Sequence, residues 1–131
     1  MAGLGVLHDP NVLPAFVAEI DGTPVGLLTY RDDGQAREVV TVDALRRGAG
    51  VGAALLDAVE REAREHDIKR LWLLTTNDNT PALRAYQRAG WDLVALHRCA
   101  VAADRALKPT IPLTGLDGIP IRHELELERL L

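Results

Sequence analysis

Apolar and polar residues alternate with a period of two through the first part of the chain. The alternation predicts three strands, PAFVAEI at 14–20, VGLLTY at 25–30 and REVVTV at 37–42. The turns that join them, in DGTP and in RDDGQ, contain Asp-Gly pairs, which suit tight β-hairpins. We therefore expect a three-stranded antiparallel meander here.

The apolar period becomes that of a helix at Val51, and this helix is expected to end near His66. A continuous apolar run follows, RLWLLTT at 70–76, which is typical of a strand buried on both faces. Strand, helix and strand in this order imply a right-handed parallel crossover. The apolar face of the helix is predicted to consist of Val51, Leu55, Ala58, Val59 and Ala63.

A second helix is predicted within NTPALRAYQRAGW. Thr80 is expected to be its N-cap, Pro81 its first helical residue and Gly90 the residue that ends it. The buried side of this helix is predicted to consist of Ala82, Ala85, Tyr86 and Ala89.

Two further strands are predicted, WDLVALHRCAV at 91–101 and IRHELELERLL at 121–131. The residues between them, 102–120, are expected to be a long irregular connection. Hairpins followed by one crossover indicate an α/β or α+β fold built on a mixed sheet.

Composition narrows the classes of protein that fit this chain. With 131 residues, 47% of them hydrophobic, it is expected to form one domain over 1–131. A net charge of −4 with scattered Lys and Arg residues argues against a nucleic acid partner. A single cysteine, Cys99, and four histidines without ligand spacing predict neither an intramolecular disulfide nor a metal site. Without a signal pattern or a membrane-length apolar run, we expect no membrane partner and a cytoplasmic location.

The stretch RRGAGVGAALL needs an explanation, because glycine at the start of a helix costs about 1 kcal/mol relative to alanine. It is either a plain tight connection or a turn that binds phosphate. Gly48, Gly50 and Ala53 spell the dinucleotide pattern G-x-G-x-x-A, but DALRR separates the first glycine from the strand, which argues against that fold. A helix N-terminus flanked by Arg46 and Arg47 instead favours an anion site suited to a pyrophosphate.

Two motifs then resemble the GNAT superfamily of N-acetyltransferases. Arg47, Gly50 and Gly52 resemble its acetyl-CoA pyrophosphate loop, Arg-x-x-Gly-x-Gly. The second motif, Asn-x-x-Ala-x-x-x-Tyr-x-x-x-Gly-Phe, is matched by Asn79, Ala82, Tyr86, Gly90 and Trp91. The resemblance implies a mixed GNAT-like sheet that splays between the family's fourth and fifth strands, here REVVTV and RLWLLTT. It also implies a domain that lacks most of the usual first strand and N-terminal helices, because only 13 residues precede Pro14.

The resemblance further implies acetyl-CoA as cosubstrate and free CoA as product. The pyrophosphate would bind the N–H groups of Gly48 to Ala53 with Arg47, and the pantetheine arm would lie along Val40 and Val42. The positions implied to contact the cofactor are Val40, Val42, Arg47, Gly48, Gly50, Val51, Gly52, Ala53, Asn79, Ala82 and Tyr86.

Acyl transfer from a thioester to an amine requires a proton for the departing thiolate, and Tyr86 is the predicted general acid. Its alternative role is that of a buried core aromatic. Glu38 is expected to share one face of the strand with Val40 and Val42, and the resemblance makes it the candidate general base, because an acid there acts as base in some members of the family. A solvated charge on an edge strand is the alternative for Glu38.

Other features leave the acceptor and the assembly open. Glu124, Glu126 and Glu128 form either a solvated face or a surface that attracts a cationic amine, and His97 and His123 are expected to be structural. Residues 106–120, within the long connection, are either a lid on the acceptor site or an arm that packs on a second subunit; we favour the arm and a homodimer.

Two functions are therefore carried forward. The first is an N-acetyltransferase that acts on a small-molecule or peptide amine. The alternative is a non-catalytic acetyl-CoA-binding domain, since the fold alone does not separate the two.

Overall fold

A computed structural model describes residues 13–45 and 49–131, together with the main chain of residues 2–3 and 6–7. Much of the N-terminal segment and the residues Arg46, Arg47 and Gly48 lie outside this range. The elements in chain order are β1 (Ala2–Gly3), β2 (Val6–Leu7), β3 (Ala15–Ile20), β4 (Thr23–Asp33), β5 (Ala36–Ala44), α1 (Val51–Glu65), β6 (Arg70–Thr76), α2 (Thr80–Arg88), β7 (Asp92–His97), α3 (Ala100–Leu107) and β8 (Glu124–Leu130).

The described strands confirm a mixed α+β fold. Six of them form one sheet in the order β3-β4-β5-β6-β8-β7, with one parallel pair, and β1 pairs with β2 separately. The chain divides into two compact units. One comprises residues 9–72 and 130–131, and the other comprises residues 1–8 and 73–129. No helix in the described ranges is long and apolar enough to cross a membrane.

In the unit built from residues 9–72, the predicted meander is confirmed. The turn between β3 and β4 places Asp21 and Gly22 at φ 51° and 79°, the left-handed values that a two-residue hairpin turn requires. The second hairpin turns at Gly34 and Gln35, since Asp33 pairs with Ala36. The Asp-Gly pairs thus mark both turns.

Helix α1 packs closely on strand β4 because position 26 has no side chain. A Cβ atom at Gly26 would overlap Val51 Cγ1 and lie 3.1 Å from Leu55 Cδ1. The helix buries its predicted apolar face, except that Ala58 is only half-buried. Periodicity therefore identified the bounds and the orientation of this helix.

A buried guanidinium joins α1 to the β4–β5 hairpin. The side chain of Arg37 is only 2% exposed, and its Nε donates to Asp32 Oδ1 at 2.7 Å while its Nη1 donates to Glu62 Oε2 at 3.0 Å. The guanidinium carbon lies 4.1 Å from the centre of the Tyr30 ring, and the Tyr30 hydroxyl donates to Glu62 Oε2 at 3.0 Å. Each charge in this cluster has a partner, which is the condition for burying it.

The pKa of Glu62 shifts as a result of this cluster. Partial burial opposes ionisation, but hydrogen bonds from Arg37 and Tyr30 and the charges of Arg37 and His66 outweigh it, so the pKa of Glu62 falls below its ordinary 4.5. A carboxylate with a lowered folded-state pKa stabilises the protein above its unfolded-state pKa. That stability is lost as the pH falls through the folded-state value.

In the unit built from residues 73–129, the prediction for residues 100–107 is wrong. Residues 100–107 form helix α3, whereas they were expected to continue a strand and begin an irregular connection. Cys99 adopts a left-handed φ of 59°, which ends the extended chain, and the alanine-rich segment then forms a helix that buries Val101 and Asp104. Strand β7 accordingly ends at His97, and β8 begins at Glu124 rather than at Ile121.

We expect Glu62→Gln to lower the free energy of unfolding by about 1–3 kcal/mol at neutral pH, because it weakens hydrogen bonds to a buried guanidinium. The difference from the unsubstituted protein should shrink as the pH falls below the ordinary carboxyl pKa of 4.5 and through the lower folded-state pKa, where the carboxylate takes up a proton. Urea unfolding across this pH range measures it. Glu65→Gln, exposed on the same helix, is the control; equal losses in both variants, or a difference that grows in acid, would contradict the assignment.

Candidate active site

Helix α1 begins at the glycine turn that the sequence singled out. Gly50 is its N-cap, with a left-handed φ of 72° that favours glycine, and the N–H of Ala54 donates to Gly50 O at 3.0 Å. No described side chain caps the helix, and its first turn has no acidic residue. The N–H groups of this turn and the positive end of the helix are therefore suited to an anion.

Space around the turn gives a second reason for its glycines. A Cβ atom at Gly50 or at Gly52 would meet nothing within 4 Å among the described residues. Packing therefore does not require glycine at position 52, in contrast to position 26. Val51 is buried in the helix interface, and Ala53 is exposed.

A β-bulge in β5 changes which residues share a face. Thr29 pairs with Thr41 and Tyr30 with Val39, so Val40 has no partner residue on β4. Paired residues lie on the same face, and the extra residue shifts the alternation by one.

The expectation that Glu38, Val40 and Val42 share one face is therefore wrong. Val42 pairs with Leu28, two residues from Gly26 and thus on the face that packs on α1, whereas Glu38 pairs with Arg31 on the opposite face.

Glu38 is not a solvated edge charge. Strand β5 has a neighbour on each side in the sheet, and Glu38 is only 5% exposed. Its Oε1 accepts a hydrogen bond from Arg31 Nη2 at 3.3 Å. On the same face of this unit, the hydroxyls of Thr29 and Thr41 lie 2.6 Å apart and are buried.

Helix α2 begins one residue earlier than predicted. Its N-cap is Asn79, not Thr80, since Asn79 Oδ1 accepts the N–H of Ala82 at 3.3 Å. Pro81 lies in the first turn, where its missing N–H costs nothing, and Gly90 follows the helix at φ 96°. The helix thus starts at Thr80, and Pro81 is its second residue rather than its first.

Tyr86 lies on α2 beside Trp91, with 5.9 Å between the ring centres. Burial raises the pKa of the Tyr86 phenol above its ordinary value of 10.0. The predicted buried side of α2 is wrong in part, because Ala85 and Ala89 are exposed while Ala82 and Tyr86 are half-buried.

Glu124, Glu126 and Glu128 form an acidic stripe on one face of the β7–β8 pair. Glu126 pairs with Ala95, and its Oε1 lies 2.9 Å from His97 Nε2. Glu124 is buried, so the stripe is not uniformly solvated. His123 Nδ1 accepts the N–H of Cys99 at 2.9 Å, so the two histidines have polar partners. No group of three or more His, Cys, Asp or Glu side chains among the described residues could hold a metal ion.

Sequence reasoning missed a polar corner between β6 and α2. Asn77 and Asp78 bind the connection that precedes β8, through hydrogen bonds to Leu116, Pro120, Arg122 and His123. In the sequence, these residues could have been found from the polar run TTNDNT, which directly follows an apolar strand. It also missed the Arg37 cluster, because a charged residue inside a predicted strand does not reveal its partners.

Comparison with known proteins places these features in a family. The Acetyltransferase (GNAT) family matches residues 4–91. Protein YxbD of Bacillus subtilis (strain 168) is 41% identical over 123 residues, which cover 94% of this chain and 70% of YxbD.

Solved structures show the same fold. A GNAT family acetyltransferase from Elizabethkingia anophelis with acetyl-CoA bound has a TM-score of 0.77 and 21% identity, covering 89% of this chain and 75% of its own. Nourseothricin acetyltransferase has a TM-score of 0.67 and 30% identity, covering 88% of this chain and 64% of its own. Given the family match and the fold, the chain belongs to the GNAT family of acetyltransferases.

Proposed function

We propose that this protein is an acetyl-CoA-dependent N-acetyltransferase that transfers the acetyl group to a primary amine by direct attack. The observation that carries the proposal is the start of α1, where no described side chain caps the helix and no described atom lies within 4 Å of a Cβ position at Gly50 or Gly52. Acetyl-CoA supplies an acetyl group activated as a thioester, and free CoA is the product.

The pyrophosphate is proposed to bind the N–H groups of this turn. Open space where a Cβ would stand lets phosphate oxygens reach the main chain, and the helix end favours negative charge. The residues assigned to the pyrophosphate are Arg47, Gly48, Gly50, Val51, Gly52 and Ala53.

The pantetheine arm is assigned to the main chain of Val40 and Val42. The bulge supports this assignment for Val40, because a bulged residue is left out of the regular ladder with β4. Asn79, Ala82 and Tyr86 of α2 are assigned to the same cofactor from the family motif.

Proton transfer is assigned to two side chains. Tyr86 is the proposed general acid, because a phenol is protonated at neutral pH and Tyr86 is the residue that matches the tyrosine of the family motif. Glu38 is the proposed general base, and its Oε1 lies 3.3 Å from Arg31 Nη2.

The acceptor is proposed to be a small-molecule or peptide primary amine. Nourseothricin is the first compound to test, because the acetyltransferase named for it is 30% identical to this chain. A panel of amines with detection of released CoA then defines the acceptor class.

We expect Gly52→Ala to stabilise the protein and yet weaken acetyl-CoA binding. Alanine in the first turn of α1 gains up to about 1 kcal/mol of helix propensity and meets no described atom. Its methyl group would occupy the space assigned to the pyrophosphate, so Kd should rise about tenfold or more. Calorimetric titration and urea unfolding measure the two effects. Glu65→Ala is the control for helix strengthening, because it removes an exposed acidic side chain from the last turn of α1, where negative charge is unfavourable. An unchanged Kd in a stable Gly52→Ala protein would overturn the assignment.

Tyr86→Phe should reduce kcat by about 10²–10⁴-fold while the Kd of acetyl-CoA stays within about twofold, because the ring remains and only the proton is lost. The other tyrosine offers a matched control. Tyr30→Phe removes a hydrogen bond to Glu62 and should lower stability without this loss of rate. Activity of Tyr86→Phe within twofold of the unsubstituted enzyme would assign the proton elsewhere. Acetyl-CoA binding without turnover on any acceptor would favour the non-catalytic alternative.

We also propose that residues 1–131 act as a single domain, that the protein is cytoplasmic and that it is a homodimer. The interface is expected to include residues 108–120 or the first dozen residues, and Leu113, 74% exposed, lies in the first of these. Sedimentation at about 50 μM should show a dimer that Leu113→Asp weakens. A monomeric unsubstituted protein at that concentration would refute the dimer.

A further inference from the structure

We propose that Asp78 is a positioning residue that couples the loop 111–122 to the first turn of α2. The inference deepens the proposed function, on which its effect on turnover rests, because α2 carries Tyr86. Its structural part can be tested without any activity.

Asp78 contacts three parts of its unit at once. The side chain is nearly fully buried, at 6% exposed. Its Oδ1 accepts the hydroxyl of Thr76, at the end of β6, at 2.6 Å, and its Oδ2 accepts the N–H of Leu116, in the loop, at 3.1 Å. Its main-chain oxygen accepts the N–H of Thr80, the first residue of α2, at 2.8 Å. The strand end, the loop and the helix start therefore meet at one residue.

The two neighbours of Asp78 complete the connection. Asn77 Oδ1 accepts the N–H groups of Arg122 and His123 at 2.9 Å, and its Nδ2 donates to Pro120 O at 2.9 Å. Asn79 caps α2. Three consecutive residues thus hold the loop on one side and the helix on the other.

The loop fits tightly against the Asp78 carboxylate. A Cβ atom at Gly115 would overlap Asp78 Oδ2 and lie 2.9 Å from Ile121 Cγ1. A second contact comes from helix α3, where Arg105 Nη2 donates to Pro112 O at 2.8 Å and to Ile121 O at 2.7 Å. The loop is therefore anchored within its own chain. Its bond to the Asp78 carboxylate links it to a residue whose main-chain oxygen accepts the N–H of Thr80 at the start of α2.

Because the carboxylate is buried, the loop and Asp78 cannot separate without a cost in free energy. Removing one partner leaves the other buried and unsatisfied, so the loop and the carboxylate shift together rather than separately. Displacement of the loop should then alter the main chain at residues 78–80 and, through it, the first turn of α2.

Amide hydrogen exchange tests the coupling on the whole chain. In Asp78→Ala, we expect exchange about tenfold faster or more at Leu116 and also at Ala82 and Leu83 in the first turn of α2. Gly115→Ala should produce the same paired change, although residue 78 is untouched. Asp78→Asn should restore protection, because Oδ1 can accept from Leu116 while Nδ2 donates to Thr76 Oγ1. Asp117→Asn, which removes an exposed carboxylate of the same loop, is the control.

Turnover provides the second measurement. In Asp78→Ala, kcat should fall about tenfold with the Kd of acetyl-CoA within about twofold, and Asp78→Asn should recover most of kcat. Recovery by asparagine separates hydrogen-bonded positioning from a role of the charge itself.

The possible outcomes are distinct. Faster exchange in the loop with unchanged exchange at Ala82 and Leu83 would overturn the coupling, as would an Asp78→Asn protein as disturbed as Asp78→Ala. If Asp78→Ala does not fold, Gly115→Ala and Asp78→Asn decide the question. If the unsubstituted protein does not bind acetyl-CoA, the proposed function fails, while the exchange data still decide the coupling.

Discussion

The buried guanidinium of Arg37 is the interaction on which the unit formed by residues 9–72 depends. It bonds to Asp32 on β4 and to Glu62 on α1, and it stacks on Tyr30. A buried charge must keep its partners, so the hairpin and the helix cannot shift independently. The start of α1, where the anion site is proposed, is thereby held in a fixed position relative to β4 and β5.

Glycines in this unit answer different requirements. At Gly26, a side chain would collide with α1, so the residue is required by packing. At Gly52, no atom of the described residues lies within 4 Å of a Cβ position, and a helix would be stronger with alanine. A residue that weakens the helix without relieving any contact is best explained by something that approaches from outside, and the proposed pyrophosphate supplies that reason.

In the unit formed by residues 73–129, three consecutive polar residues fix a loop and the start of a helix through side-chain hydrogen bonds. Asn77 and Asp78 satisfy main-chain groups of a connection that has little regular structure of its own, and Asn79 satisfies the helix start. Loops held by buried polar side chains can be as well defined as helices, because each unsatisfied group would be costly.

Local periodicity and turn chemistry were sufficient to predict the meander, α1, β6 and most of α2, because these patterns report which face of a regular element is apolar. They also led to the family, since both motifs consist of residues at fixed local spacing. The roles of Tyr86 and of the glycine turn stay predictions from that resemblance.

Features that depend on pairing and packing were decided only by the tertiary structure. The bulge at Val40 moved Glu38 away from the face of Val42, since strand alternation assumes an uninterrupted ladder. Strand β5 lies inside the sheet and Glu38 is buried, and no pattern within the strand reveals either fact. Helix α3 replaced an expected strand end because a left-handed Cys99 ended the extended chain. Periodicity reports only which face of a single element is apolar. Register, burial and ion pairs depend on which other segments pack against that element.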